Sequence, residues 1–272
     1  MNRLEDIDME ITTDLYRAKE SLKLMDAYFA NKNIKNQAQV ILPDGVEKYG
    51  QQHYCYLFLS CLLNHGMKSS TLHENLQSLY QNKIEVFSPE YVFTSYKDNY
   101  SDLADLLRTY IHVRYPNESA KRWIALCENL HINYHDNPKE KFLGKTKYDE
   151  LKKVICSING MGQKTGGLLL RILIDNGMVI STDGIREIPI DRHDIDLCVW
   201  LGVIKNITSD EIKKDKKIIS KLSEVWVQAS DDLAISPSVT DQYLWIIGSQ
   251  LCTNKYCDGC PICAMCFKKG DI

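Results

Sequence analysis

Long hydrophobic runs are missing from this 272-residue chain. The longest apolar stretch, residues 56–63, falls far short of the roughly 18 residues a membrane span needs. The opening segment, MNRLEDIDMEITTD, is acidic and has no apolar core of a signal peptide. A cytoplasmic (nucleoid) or nuclear protein is therefore expected, neither secreted nor bound to membrane. An excess of positive charge is missing too: 33 Lys and Arg stand against 36 Asp and Glu, for a net charge of −3. That excludes a body that coats nucleic acid by charge alone, so any such contact must come from a local surface. Strand signals are scarce, and no repeat or low-complexity tract occurs. Hydrophobic residues at 44% and charged residues at 25% are ordinary for a folded domain and exclude general disorder.

What the chain has in plenty is cysteine. Of ten, five fall between Cys252 and Cys266: Cys252, Cys257, Cys260, Cys263 and Cys266. The other five are scattered among apolar residues and read as small buried hydrophobes. Without an export signal, the dense group argues for metal rather than disulfides. Thiolates two to six residues apart can converge on one centre. A single winding loop suits an iron–sulfur cluster better than structural zinc, which usually takes two separated pairs; zinc stays as the alternative.

Helical spacing dominates elsewhere. Helices are expected over 12–31, 52–64, 69–81, 89–96, 101–113, 118–130, 148–158, 164–176, 191–201, 209–216, 218–228 and 240–252. The almost wholly apolar 52–64 reads as a central core helix. Ser101 with Asp102 offers a cap, Pro116 breaks the chain, and 133–147 reads as a Lys-rich surface loop. The expectation is an all-α chain of two helical lobes. Residues 1–50 pack with a C-terminal lobe, 186–272, and 51–185 form the other lobe.

Two segments carry polar chemistry. In Ile158-Asn159-Gly160-Met161-Gly162-Gln163-Lys164-Thr165, two glycines give a tight turn that exposes successive N–H groups, and a helix opens directly after it. Such a hairpin can hold a backbone phosphate without reading a base; it can also be a plain interhelical turn. In Ile188-Pro189-Ile190-Asp191-Arg192-His193, the proline favours an extended entry and Asp191 falls at a helix N-cap. One carboxylate can cap a helix and face a reacting centre.

Taken in order, these elements resemble the endonuclease III family, the helix-hairpin-helix DNA glycosylases with a [4Fe–4S] loop. The hairpin resembles the family's L-P-G-V-G-x-K-T-A signature, which implies Lys164 as the Schiff-base lysine. Pro189-Ile190-Asp191 and His193 resemble its V-D-x-H motif, which implies Asp191 as the catalytic aspartate. Cys257, Cys260 with Pro261, and Cys266 match its last three cluster ligands. Leu244, Gly248 and Cys252 resemble the run into the first. Tyr115–Lys121 is similar to the helix entry before the hairpin. Departures are present: Cys252 and Cys257 have only four residues between them, Cys263 is additional, and Asp194 and Asp196 stand where the family is apolar or basic. Asn64, His65 and Gly66 occupy the place of an expected glutamine.

The resemblance implies a helix-hairpin-helix motif, a C-terminal iron–sulfur loop, and base excision by a bifunctional DNA glycosylase and AP lyase. Double-stranded DNA with a damaged base is the implied partner of a monomer. Gly160, Gly162, Gln163, Thr165, Asn64 and His65 are the implied DNA contacts. Cys252, Cys257, Cys260 and Cys266 are the implied ligands of a [4Fe–4S] cluster. Lys164 is expected to be partly desolvated. Lys139, Lys141, Lys145, Lys147, Lys268 and Lys269 are candidates for phosphate contacts, or simply solvated lysines. The alternative function is a non-catalytic, damage-sensing DNA-binding protein that keeps hairpin and cluster.

Overall fold

The computed structural model describes residues 10–30, 32, 42–64, 67 and 69–270. The chain divides into two compact units, one of residues 37–184 and one of 1–36 with 185–272. The sequence had placed these joints at 50/51 and 185/186. The protein is all-α, with twelve α-helices among the described residues and a single two-residue strand pair.

The 37–184 unit is built on α2 (Gln51–Leu63), in which every residue from His53 to Leu63 is buried. No polar stripe interrupts the helix, so it has neighbours all round: α3 (Ser69–Asn82), α6 (Pro116–Tyr134) and α8 (Gln163–Asp175). Tyr56 stacks on Phe87, and Trp123 is fully buried with its indole N–H donating to the Val86 carbonyl at 2.9 Å. Each such side chain stabilises the unit by about 1.5–3 kcal/mol through burial alone. α4 (Pro89–Tyr96) and α5 (Tyr100–Ile111) pack on α6, and α7 (Tyr148–Cys156) packs on α8.

Three local expectations are corrected in this unit. α5 has Asn99 at its N-cap position, without a side-chain capping bond, and Ser101 and Asp102 lie inside the helix. Pro116 starts α6 rather than breaking the chain, because a first-turn proline gives up no helical hydrogen bond. The 133–147 stretch is not simply a surface loop: its 3₁₀ turn Pro138–Phe142 buries Pro138, Lys141 and Phe142.

In the other unit, Asp14 caps α1 (Leu15–Phe29) by accepting from the Arg17 N–H at 3.0 Å. β1 (Thr12–Thr13) pairs antiparallel with β2 (Ile204–Lys205). α1 packs on α11 (Lys216–Asp232) and α12 (Pro237–Ile246). α9 (Arg192–Trp200) and the short α10 (Ser209–Ile212) complete the helices. Leu22, Met25, Leu197, Cys198, Leu222, Trp226 and Leu244 form the centre of its core. α12 runs on into a π turn, Ile247–Cys252, which delivers the chain to the cysteine loop. No described helix is long and apolar enough to cross a membrane.

Candidate functional site

The hairpin joins α7 to α8. Ile158 and Met161 are buried and hold its ends, and the Met161 N–H closes the turn on the Ile158 carbonyl at 2.9 Å. Gly160 has φ +90°, a conformation that L side chains rarely adopt. A Cβ there would also lie 2.6 Å from the Arg122 side chain. Gly162 differs. Its φ is −70°, and a Cβ on it would meet nothing within 4 Å. The fold of this unit demands glycine at 160 and makes no such demand at 162.

Gly162 is the N-cap of α8, and no side chain caps that helix. Gln163 and Lys164 follow as its first two residues and are exposed, with Thr165 half-buried. The expected desolvation of Lys164 is therefore not found. A helix opens beneath it, and its positive dipole end and amide groups point the same way as the lysine's turn. Behind them, Gly166 and Gly167 are buried, and a Cβ on Gly166 would lie 2.9 Å from the Cys156 sulfur. The close approach of α7 and α8 fixes the geometry of the turn.

In the other unit, Asp191 is the N-cap of α9, with φ −100° and ψ −174°. Its Oδ1 accepts from the His193 N–H at 2.7 Å and the Asp194 N–H at 3.1 Å. Asp194 returns the favour: its Oδ2 accepts from the Asp191 N–H at 2.7 Å, completing a capping box. Asp194 is 2% exposed, and Asp196 lies 3.4 Å from the Lys213 amine. The two aspartates that look hostile to a phosphate in sequence are thus engaged within their own unit. The Asp-x-x-Asp spacing was the signal that could have revealed the role of Asp194.

Of the remaining implied DNA contacts, Asn64 is the C-cap of α2, with its N–H donating to the Cys61 carbonyl at 3.2 Å. His65 lies outside the described residues. Among the lysines, Lys141 does not face solvent and is no phosphate contact. It is buried, its amine donates to Asn129 Oδ1 at 2.6 Å, and it lies over the Tyr134 ring. Lys268 stacks over Trp200 at 3.7 Å from the ring centre. Nothing is described of the Lys269 side chain.

Cys252, Cys257, Cys260, Cys263 and Cys266 all line one cavity, with Leu251, Tyr256, Ile262 and Lys268 completing its wall. Burial pushes the Cys252 thiol up to about 12, and the neighbouring Cys260, Cys266 and Cys257 add to the rise. Burial likewise raises Cys260 and Cys266. Thiolates crowded into an apolar cavity need a cation among them. Among the described residues, no group of three or more His, Cys, Asp or Glu is placed to hold a single metal ion. Thiols that ring a cavity suit a group with a volume of its own. In kind, five thiols that line one cavity are donors suited to an iron–sulfur cluster. Cys252 also lines a second cavity on the same unit, with Arg192, His193, Thr253, Lys255 and Lys268. Sequence reasoning did not single out Arg192 or Lys255.

No family model matches the chain, and no curated protein matches it in sequence. Among solved structures it is similar to that of a trapped endonuclease III–DNA covalent intermediate, an estranged-adenine complex. The TM-score is 0.61 at 16% identity, over 96% of this chain and 99% of that one. This chain has the all-α endonuclease III-like fold.

Proposed function

We propose that this protein is a base-excision DNA glycosylase with AP lyase activity, acting on double-stranded DNA through a Schiff base on Lys164. One observation carries the reading: a helix with no side-chain cap opens at a glycine hairpin and bears an exposed lysine in its first turn, in a chain with an endonuclease III-like fold. The hairpin amides, with Gly162 presenting no side chain, are suited to a backbone phosphate. The target nucleotide must leave the stack before its C1′ can be reached.

The Lys164 amine then attacks C1′ as the bond to the base breaks, and the base leaves with that electron pair and a proton. Asp191 offsets the positive charge that grows on the sugar. Its two backbone bonds at Oδ1 fix the carboxylate while the charge develops. Ring opening gives an iminium on Lys164. Loss of a C2′ proton expels the 3′ phosphate and nicks the strand. Gln163, Thr165 and Asn64 remain candidates for phosphate or base contacts around the extruded nucleotide.

Cys252, Cys257, Cys260 and Cys266 would hold a [4Fe–4S] cluster, whose chemistry here is to cross-link the loop. The test is a panel of duplexes, each with one oxidised or otherwise modified base, assayed for base release and strand nicking. Release with nicking at one or more lesions is expected. Tight binding to damaged duplex without release of any base would instead favour the damage-sensing alternative.

A further inference from the structure

The family resemblance uses four of the five loop cysteines and leaves Cys263 over. The backbone gives Cys263 the same standing as its neighbours. Cys257, Cys260, Cys263 and Cys266 recur at every third residue. Each of the last three donates its N–H to the carbonyl of the cysteine before it: Cys260 to Cys257 at 3.1 Å, Cys263 to Cys260 at 3.2 Å, and Cys266 to Cys263 at 3.3 Å. With about three residues per turn, side chains at i and i+3 eclipse one another. Successive turns thus bring the chain back at each cysteine, and all four thiols line the cavity that Cys252 closes.

The winding is also anchored from the body of its unit. Ile262 is 1% exposed. The Met265 carbonyl accepts from Arg17 Nη2 at 2.6 Å, and the same guanidinium lies over the Phe267 ring. These anchors hold the backbone on both sides of Cys263 and Cys266 while leaving the two thiols on the cavity. The two bound one 3₁₀ turn, Cys263–Met265 with its C-cap Cys266. Cys260 is set apart from Cys263 by Pro261 and the buried Ile262.

Resting on the iron–sulfur reading above, we infer that Cys263 and Cys266 are interchangeable ligands. Either one supplies the fourth thiolate beside Cys252, Cys257 and Cys260. Exchange needs side-chain rotation within one turn and no movement of the anchored backbone. Charge and electrons balance without an oxidant: the entering thiol gives up its proton as its sulfur binds iron, and the leaving thiolate takes one up. A cluster that loses one ligand to damage therefore has a second within reach.

The test uses the full chain, purified without oxygen as wild type, Cys263→Ser, Cys266→Ser and the double variant. Iron, acid-labile sulfide and visible absorption are measured, and circular dichroism checks folding. Wild type and both single variants should hold near-equal iron and sulfide, about four of each per chain. The absorption of Cys266→Ser should shift little, because its cluster is still held by four thiolates. The double variant should lose at least half of its iron. Loss of iron from Cys266→Ser equal to that of the double variant overturns the interchange, as does a double variant that keeps its full iron. Wild type that carries no iron overturns the cluster reading itself, a different result. Should Cys266→Ser fail to fold, alkylation of the folded, iron-loaded wild type decides. Interchange gives partial labelling at both Cys263 and Cys266, and labelling confined to one of them refutes it.

Discussion

Two helix openings carry the proposed chemistry, and they are built in opposite ways. α9 is closed by its own side chains: Asp191 accepts from two amides of the first turn, and Asp194 accepts from the Asp191 N–H. α8 opens on Gly162, with no side-chain cap at all. A capped terminus is stable by itself and holds a carboxylate in a fixed pose. A terminus that opens on glycine forgoes only roughly a few tenths of a kcal/mol of capping and keeps its amides for an anion from outside. In the proposed function, charge stabilisation falls to the capped helix and phosphate grip to the uncapped one.

The largest effect that sharpens this contrast is on catalysis at α9. Asp191→Asn should slow base release by on the order of 100-fold or more, because an amide does not offset positive charge on the sugar. Its melting temperature should scarcely move, since Asn caps as well as Asp. Asp191→Ala should lose the same activity and also about 1 kcal/mol of stability. Equal activity in Asp191→Asn and wild type, measured by single-turnover base release, would leave Asp191 as a cap alone.

The two hairpin glycines give the next contrast. Gly160→Ser should cost about 1–2 kcal/mol in denaturant unfolding, because its left-handed backbone and Arg122 both resist a Cβ. Gly162→Ser should not destabilise, and can gain a few tenths of a kcal/mol as a new N-cap. Yet its DNA affinity should fall about tenfold, since the serine oxygen takes the amides that a phosphate would use. A Gly162→Ser protein that binds DNA like wild type would mean that the α8 amides do not meet phosphate.

Smaller effects are structural. Asp194→Ala should cost about 1 kcal/mol by opening the α9 capping box. At Asp14, the hydrogen bond from Lys205 holds the carboxyl below the ordinary carboxylate range. A lowered folded value means its stabilisation is present above the unfolded value and is lost as pH falls through the folded one. Asp14→Asn should thus cost less than about 1 kcal/mol at neutral pH, and nothing below the carboxylate range. Thermal unfolding of both proteins across pH checks the sign.

The sequence was most legible where one residue type answers one backbone need. The two glycines announced the α7–α8 turn, and Pro189 before Asp191 announced the α9 cap. An unbroken apolar run announced α2. What stayed hidden depended on partners distant along the chain. Lys141 reads as a solvated lysine until Asn129 and Tyr134 are seen to enclose it. β1 and β2 are two residues each, too short for any alternation to register. The distinct demands at Gly160 and Gly162 are invisible without Arg122 and the backbone angles. The part of Cys263, a substitute ligand or a free thiol, stays open in the sequence because spacing alone does not say that its thiol lines the same cavity as the other four. The Asp191–Asp194 pair is present in the sequence as a capping spacing, with the aspartate returning the bond to its own cap.

The most direct measurement of the central claim is borohydride trapping on a duplex bearing one damaged base, followed by peptide mapping of the cross-link. Wild type should be captured on the damaged strand through Lys164. Lys164→Gln should give no cross-link and no nicking while its DNA affinity stays within a few-fold of wild type. Trapping of Lys164→Gln at the wild-type level, or mapping of the cross-link to another residue, would contradict the assignment of Lys164 as nucleophile.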